Sequence, residues 1–314
     1  MVDVSLIICS HNPRPSYLRR VLDALRNQTL PQDRWELLLI DNASAVPIAP
    51  NWDLGWHAHA RHVLECELGL SAARIRGIAE ARGEVLVFVD DDNILQPNYL
   101  AEALRIKEEW PQLGVWGAGA VTPEFEIEPA AYVERLKGYL ALRESTKARW
   151  SNVMSCDEAS PLGAGLCLRA RVAEEYQRLN DGAALLISGR RGGILLGGDD
   201  HEICYAACHI GLGMGIFPEL RLTHLIPKER VAPEYLLKII EGAETSNLLL
   251  GYKWNGTRPK SPFRPWGLLW IVKNLIIQRG FDRRIFLAKV RAIISARNII
   301  GSTPDRGGVV GSRM

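Results

Sequence analysis

Three consecutive carboxylates, Asp90-Asp91-Asp92, close the apolar run Val85–Val89. Like charges this close repel one another unless a cation is near. A divalent ion that prefers hard oxygen ligands is the natural neutraliser, and a diphosphate would supply further oxygens. Asp90 and Asp92 are two apart, so in extended backbone they point the same way. Strand-end aspartates also serve as phosphoacceptors, and a solvated acidic turn needs no ligand, so position alone leaves three readings open. Two other clusters invite a metal reading and are read more simply. His57-Ala58-His59-Ala60-Arg61-His62 has no nearby cysteine and no matching second cluster, and is read as a polar loop. His201, Cys204, Cys208 and His209 follow helical spacing, near that of a zinc face. Cysteine is equally a common small core residue, and the core reading is preferred. Neither a Walker A sequence nor a G-x-G-x-x-G frame occurs.

The elements around the carboxylates follow from hydrophobic patterning. Val4–Cys9, Trp35–Ile40 and Val85–Val89 are unbroken apolar runs, with His62–Cys66 a weaker fourth. Between them, Leu18, Val21, Leu22 and Leu25 mark one amphipathic helix, and Leu70–Arg82 reads as another. Unbroken apolar strands alternating with helices predict an α/β fold whose mainly parallel central sheet is covered on both faces. Ligands of such sheets bind beyond the carboxyl ends of the strands. Cys9-Ser10-His11-Asn12, Asp41-Asn42 and Asp90-Asp91-Asp92 all fall there and should line one crevice. In the second half, Leu113–Ala120, Ala164–Leu168, Met214–Phe217 and Leu220–Leu225 read as extended. Asp199–Gly211 and Pro233–Leu250 read as helices. Past a polar break at Asn255–Pro262, two basic amphipathic helices are expected, about 265–278 and 282–300.

The 314 residues, 47% hydrophobic and 24% charged, suit a folded catalytic domain with an appended piece and exclude a disordered or collagen-like chain. A net charge of +2 does not announce a nucleic-acid partner, and none is expected. The charge is unevenly spread. Residues 263–300 hold eight Lys or Arg against Asp282 alone, and residues 1–262 carry the compensating acidic excess. Six cysteines without paired C-x-x-C spacing suggest reduced thiols. With no recognisable signal peptide, the expected location is cytoplasmic, peripheral at the inner face of the membrane.

Several segments together resemble the family-2 glycosyltransferases. Val4-Ser5-Leu6-Ile7-Ile8-Cys9-Ser10-His11-Asn12 is similar to that family's first strand and Leu38-Leu39-Ile40-Asp41-Asn42-Ala43-Ser44 to its second. Gly69-Leu70-Ser71-Ala72-Ala73-Arg74-Ile75-Arg76-Gly77 resembles its G-x-x-x-A-R-N-x-G helix, with Ile75 in place of Asn. Asp90–Asp92 resembles its DxD metal motif. Downstream, Gly163-Ala164-Gly165 resembles a small-residue loop near the acceptor. Ser188-Gly189-Arg190-Arg191-Gly192 through Gly198-Asp199-Asp200-His201-Glu202 resembles a segment that usually ends Gly-Glu-Asp-x-Glu, here with Asp199 for the Glu. The resemblance spans roughly residues 3–230.

It implies a GT-A fold over residues 1–230, with a nucleotide-binding half (1–120) and an acceptor half (121–230), followed by a helical extension over 231–314. It implies inverting transfer of a sugar from a nucleotide-diphospho-sugar, UDP foremost, to an acceptor hydroxyl on a glycan, a lipid-linked glycan or another molecule. Asp200 is the implied base. Ser10, Asn12, Asp41, Arg74, Asp90 and Asp91 are the implied donor contacts, with Asp41 accepting from the nucleobase. Asp90, Asp92 and His224 would hold Mn2+ or Mg2+. For Arg74 a helix-surface ion pair is an equal alternative. A nucleotidyltransferase of similar fold is disfavoured because Cys9–Pro15 lacks glycine and lysine, and a non-catalytic sugar-nucleotide binder because Asp200 is present. The basic tail, 263–300, suits a membrane surface, with packing onto the body or a homodimer as the alternative.

Overall fold

The computed structural model describes residues 2–155, 158–183, 185, 187, 189–191 and 194–303. Ser188 and Gly192 of the arginine-containing segment, and the tail beyond residue 303, lie outside the described residues. The chain divides into two compact units, one of residues 1–179 and 199–228, the other of residues 180–198 and 229–314.

The first unit opens with β1 (Val4–Ser10), α1 (Pro15–Arg26), β2 (Trp35–Asn42), β3 (Ala60–Glu65), α2 (Leu70–Glu80) and β4 (Val85–Asp90). It continues through β5 (Asn93–Leu95), α3 (Tyr99–Glu109), β6 (Leu113–Phe125), β7 (Arg143–Glu144), β8 (Arg149–Ser151), β9 (Leu166–Arg169) and α4 (Ala170–Asn180), whose last residue falls in the second unit. After β10 (Gly189–Arg191) and β11 (Ile194–Leu196), which form a separate antiparallel pair, α5 (Asp199–His209) and β12 (Gly213–Ile226) complete it.

The main path of the sheet runs β3-β2-β1-β4-β9-β6-β12-β5. The pairs β3/β2, β2/β1 and β1/β4 are parallel, as the unbroken apolar runs predict, and Leu6, Ile7, Leu37–Ile40 and Val87 are fully buried. Burial of each such side chain is worth roughly 1.5–3 kcal/mol. Beyond β4 the sheet becomes mixed: β9 lies antiparallel between β4 and β6, and β6 then pairs parallel with β12. In α1, Pro15 sits at the first turn, where its missing N–H is not needed, and Leu18, Val21, Leu22 and Leu25 form the buried face.

One expectation is extended here and one is corrected. Met214–Phe217 and Leu220–Leu225 are one strand, β12, with a register shift between Phe217 and Arg221. Pro218 cannot donate to the ladder, and a bulge absorbs the missing bond. Gly119 of β6 faces this bulge, where a Cβ would lie 2.6 Å from the Phe217 carbonyl carbon. His57 is not part of a polar loop: it is 2% exposed, edge-on to Trp35 with ring centroids 4.1 Å apart. Burial, with His59 adding to it, depresses its pKa to about 4, so the ring is buried neutral.

In the second unit, α6 (Pro233–Asn255) and α8 (Gly280–Ser302) pack together, with Leu196, Leu249, Ala296 and Ile300 in the shared core. Ion pairs Arg284–Glu234, Lys289–Glu244 and Arg291–Glu241 (2.6, 2.9 and 2.7 Å) link the two helices. Between them, α7 (Pro265–Ile277) has no buried residue. Both expected tail helices form, but only α8 has fully buried residues. Among the described residues, no helix is long and apolar enough to cross a membrane.

Candidate active site

The carboxyl ends of β1, β2 and β4 form one rim. Parallel registry sets Ser10 of β1 beside Asp41 of β2, and Cys9 beside Asp90 of β4. Ser10 Oγ donates to Asp91 Oδ2, so the first strand anchors the middle aspartate. Asn12 is left-handed (φ 51°), a conformation asparagine tolerates. Its N–H donates to Ser44 Oγ at 2.9 Å, and its Oδ1 accepts from Ala45 N at 2.8 Å. These bonds tie the loop after β1 to the loop after β2. Asp41 Oδ1 accepts from Ser44 N (3.0 Å) and Oδ2 from Ile48 N (2.9 Å). Burial pushes the Asp41 carboxyl up, but the Ile48 and Ser44 hydrogen bonds outweigh it and hold its pKa below the usual value. A cavity of about 870 Å3 opens beside this loop pair, bounded in part by Asn12, Pro13, Arg19, Ile48 and Trp52.

Asp92 and His224 meet because β5 pairs antiparallel with β12, placing Asn93 opposite His224, while Leu225 N donates to Asp92 O at 2.9 Å. His224 Nδ1 is 3.1 Å from the Leu140 carbonyl, which can only accept, so Nδ1 carries the proton. His224 Nε2 then faces Asp92 Oδ2 at 3.6 Å. An imidazole nitrogen beside a carboxylate suits a borderline divalent ion. Among the described residues, no three His, Cys, Asp or Glu side chains converge tightly enough to hold a metal by themselves. A metal seated here would need oxygens from its ligand.

On the other side of the rim, α2 delivers Arg74. It is not a surface residue: it is 3% exposed, ion-paired to Asp199 and 5.2 Å above the Phe88 ring. Burial pulls the guanidinium down, yet Asp199, Asp90 and Asp200 more than restore its charge. Asp199, at the first position of α5, is consumed by this pair, with its side chain only 4% exposed. Asp200 is more open, at 17%, and its Oδ2 accepts from Gly163 N at 3.0 Å. Burial alone would raise Asp200, but His201 and Arg74 outweigh it and hold the carboxylate ionised. The pair is thus one carboxylate locked to Arg74 and one turned toward the 163–165 loop.

That loop has its own support. Gly165 is left-handed (φ 71°), and its carbonyl accepts from the buried Tyr99 hydroxyl at 2.6 Å. A Cβ at residue 165 would overlap Tyr99 Oη and lie 2.8 Å from Leu222 Cδ2. Gly165→Ala is therefore expected to destabilise the protein by about 2–4 kcal/mol, combining overpacking with backbone strain. Urea denaturation checks this, and a loss under about 0.5 kcal/mol would contradict the close approach.

Tyr99 and the Arg74–Asp199 pair were not identified as partners in the sequence. Tyr99 does fall on the buried face of α3 with Leu100, Ala103 and Leu104, a periodicity that could have placed it. His201 and His209, two members of the zinc-like face, are engaged instead by Asp200 (3.2 Å) and Glu175 (2.7 Å).

A sheet with this order, carrying aspartates at its β4 end and an acidic pair at the start of α5, defines the GT-A class of nucleotide-sugar transferase folds. Comparisons with known proteins agree. Residues 5–135 match Glycosyl transferase family 2. EpsH of Bacillus subtilis (strain 168), a glycosyltransferase by assignment, is 33% identical over 104 residues. That match covers 32% of this chain and 29% of EpsH, less than a third of the relative's length. Among solved structures, Staphylococcus aureus TarS 1–349 aligns over 96% of this chain and 91% of its own, with TM-score 0.52 and 14% identity. The mannosyltransferase PcManGT of Pyrobaculum calidifontis, in complex with GDP-Man and Mn2+, aligns over 99% and 77%, with TM-score 0.54 and 17% identity. At such identities the likeness concerns the fold.

Proposed function

We propose that the protein is an inverting glycosyltransferase that moves a sugar from a nucleoside-diphosphate sugar to an acceptor hydroxyl. The carrying observation is the division of labour at the start of α5: Arg74 occupies Asp199, leaving Asp200 as the ionised carboxylate facing the 163–165 loop. In this reading Asp200 accepts the proton of the acceptor hydroxyl as its oxygen attacks the anomeric carbon. A single base on one face, with the diphosphate leaving from the other, gives inversion. The nucleoside lies beside Asn12 and Asp41, whose backbone-held carboxylate keeps lone pairs to accept from a base N–H.

Asp92 and His224 fit a divalent cation, Mn2+ or Mg2+, with Asp90 and Asp91 beside them at the end of β4. When bound, the ion would neutralise the leaving diphosphate. The Mn2+ in PcManGT supports this reading. The residues themselves orient the site: Ser10 fixes Asp91, Leu140 fixes the His224 tautomer, and Arg74 draws Asp199 away from the acceptor. The acceptor in this reading is a hydroxyl of a glycan or lipid-linked glycan.

Titration calorimetry with UDP and GDP tests the donor half. Binding is expected to be at least about tenfold tighter with Mn2+ than with EDTA, reflecting relief of the repulsion among the aspartates. Asp92→Asn should abolish the difference while leaving the melting temperature of the free protein nearly unchanged. Equal affinities with Mn2+ and EDTA for both nucleotides would remove the metal from the mechanism.

A further inference from the structure

The sequence treats the two tail helices alike, but the structure separates them. In α8, Phe286, Ala288, Val290, Ala292, Ala296 and Ile300 are buried, and three of its cations are paired with acids of α6. In α7, Trp266 is 84% exposed, Ile276 72%, Ile277 63% and Leu269 60%. These residues, with Leu268 and Val272, cover one broad side of the helix, while Ile271, Asn274 and Leu275 on the other side are half-buried. The contact of Trp270 with Phe286 (4.8 Å) ties α7 to α8. A broad apolar side turned away from the protein is stabilised where it is taken out of water.

We propose that α7 is a membrane-interface helix that inserts into the surface of an anionic bilayer. Three features select this occupant. First, at 13 residues α7 is about 20 Å long, too short for the roughly 30 Å hydrocarbon core, so it lies in the interface. Second, Arg264, Lys273, Arg279 and Arg283 lie on or beside α7 and have no acidic partner among the described residues. Anionic headgroups complement that cluster. Third, the same four cations argue against a second copy as the covering partner, since a symmetric contact would set like charge against like charge. Trp266 at the amino end suits the headgroup boundary, where an apolar ring with one N–H donor is at home. The inference stands apart from the catalytic reading, because it uses neither Asp200 nor the donor site.

Removing the whole tail would be a poor test, since α8 supplies Ala296 and Ile300 to the core around Leu249. The full chain and a Trp266→Ser/Ile276→Ser variant are compared instead. Neither side chain is buried, and the melting temperature should be unchanged. Flotation with vesicles of phosphatidylcholine and phosphatidylglycerol at 7:3 should carry the full chain upward in low salt. Pure phosphatidylcholine vesicles should carry it far less, and so should 0.5 M NaCl, which shortens the range of the attraction. The double substitution should weaken partitioning by about a hundredfold, roughly tenfold for each side chain withdrawn. No flotation of the full chain, or flotation indifferent to the double substitution, overturns the proposal. So does light scattering that shows a dimer at micromolar concentration which the double substitution dissolves, for then a second copy covers α7.

Discussion

Asp200→Asn should reduce sugar transfer by about 10²–10⁴-fold with little change in donor affinity. The magnitude follows from removing a proton acceptor while leaving nearly everything else in place. Asparagine is isosteric, its Oδ1 can still accept from Gly163 N, and it retains capping capacity at the start of α5. Donor affinity should hold because the side chain faces the 163–165 loop. His201 and Arg74 depress the pKa of this carboxylate, so the base stays ionised as pH falls through the ordinary carboxylate range. The acid limb of the transfer rate should accordingly lie below pH 4, about the pKa of a free aspartate. The comparison variant is Asp199→Asn, in which the charge lost is the one that neutralises Arg74. Its main effect should be on stability. If Asp200→Asn transfers at nearly the full rate while Asp199→Asn is folded and inactive, the base is Asp199 and the division of labour is reversed.

How far the chain could be read in advance depended on whether the relevant interaction was local. β1, β2 and β4 were legible because strands buried on both faces become unbroken apolar runs, and those runs end at Ser10, Asp41 and Asp90. Parallel registry then aligned these ends without further information. The reversal at β9 was not legible, because Leu166–Arg169 is four residues whose direction is set by its neighbours β4 and β6. Strands of two or three residues, such as β5, β7 and β8, carry no period to detect. Yet β5 is what brings His224 to Asp92. The helix α4 was readable in principle, since Val172, Ala173 and Tyr176 repeat at helical spacing on its buried side. Arg74 shows the limit most plainly. Its helix was recognisable, but its partner Asp199 is 125 residues away, and nothing local distinguishes a buried guanidinium from one in solvent.

That buried pair should also give the largest change in stability. Arg74→Met is expected to cost about 3–5 kcal/mol, because it strands the Asp199 carboxylate where water cannot reach it. The loss should depend on pH in a direction set by Asp199 alone. Burial raises the Asp199 pKa, and in the intact protein Arg74 is the chief force opposing that rise. In the variant the opposition is gone, so the folded-state pKa lies well above the unfolded value of about 4. A carboxyl raised in the folded state binds its proton more tightly there, so folding is favoured at low pH and penalised as pH rises past the unfolded value. Arg74→Met should therefore be closest to the parent near pH 5 and furthest from it near pH 8, the opposite of the trend for a carboxylate stabilised by a salt bridge. Arg74→Met/Asp199→Leu removes both charges and should recover most of the loss, since an apolar pair of similar volume avoids the desolvation penalty altogether. Urea titrations of the three proteins at both pH values decide the matter. Should Arg74→Met be too unstable to purify, a folded double variant would still identify the stranded carboxylate as the cause. A single variant within about 1 kcal/mol of the parent at pH 8, the range of an exposed pair, would mean that water reaches Asp199 and that the Arg74–Asp199 contact is not the buried charge pair that leaves Asp200 to act alone.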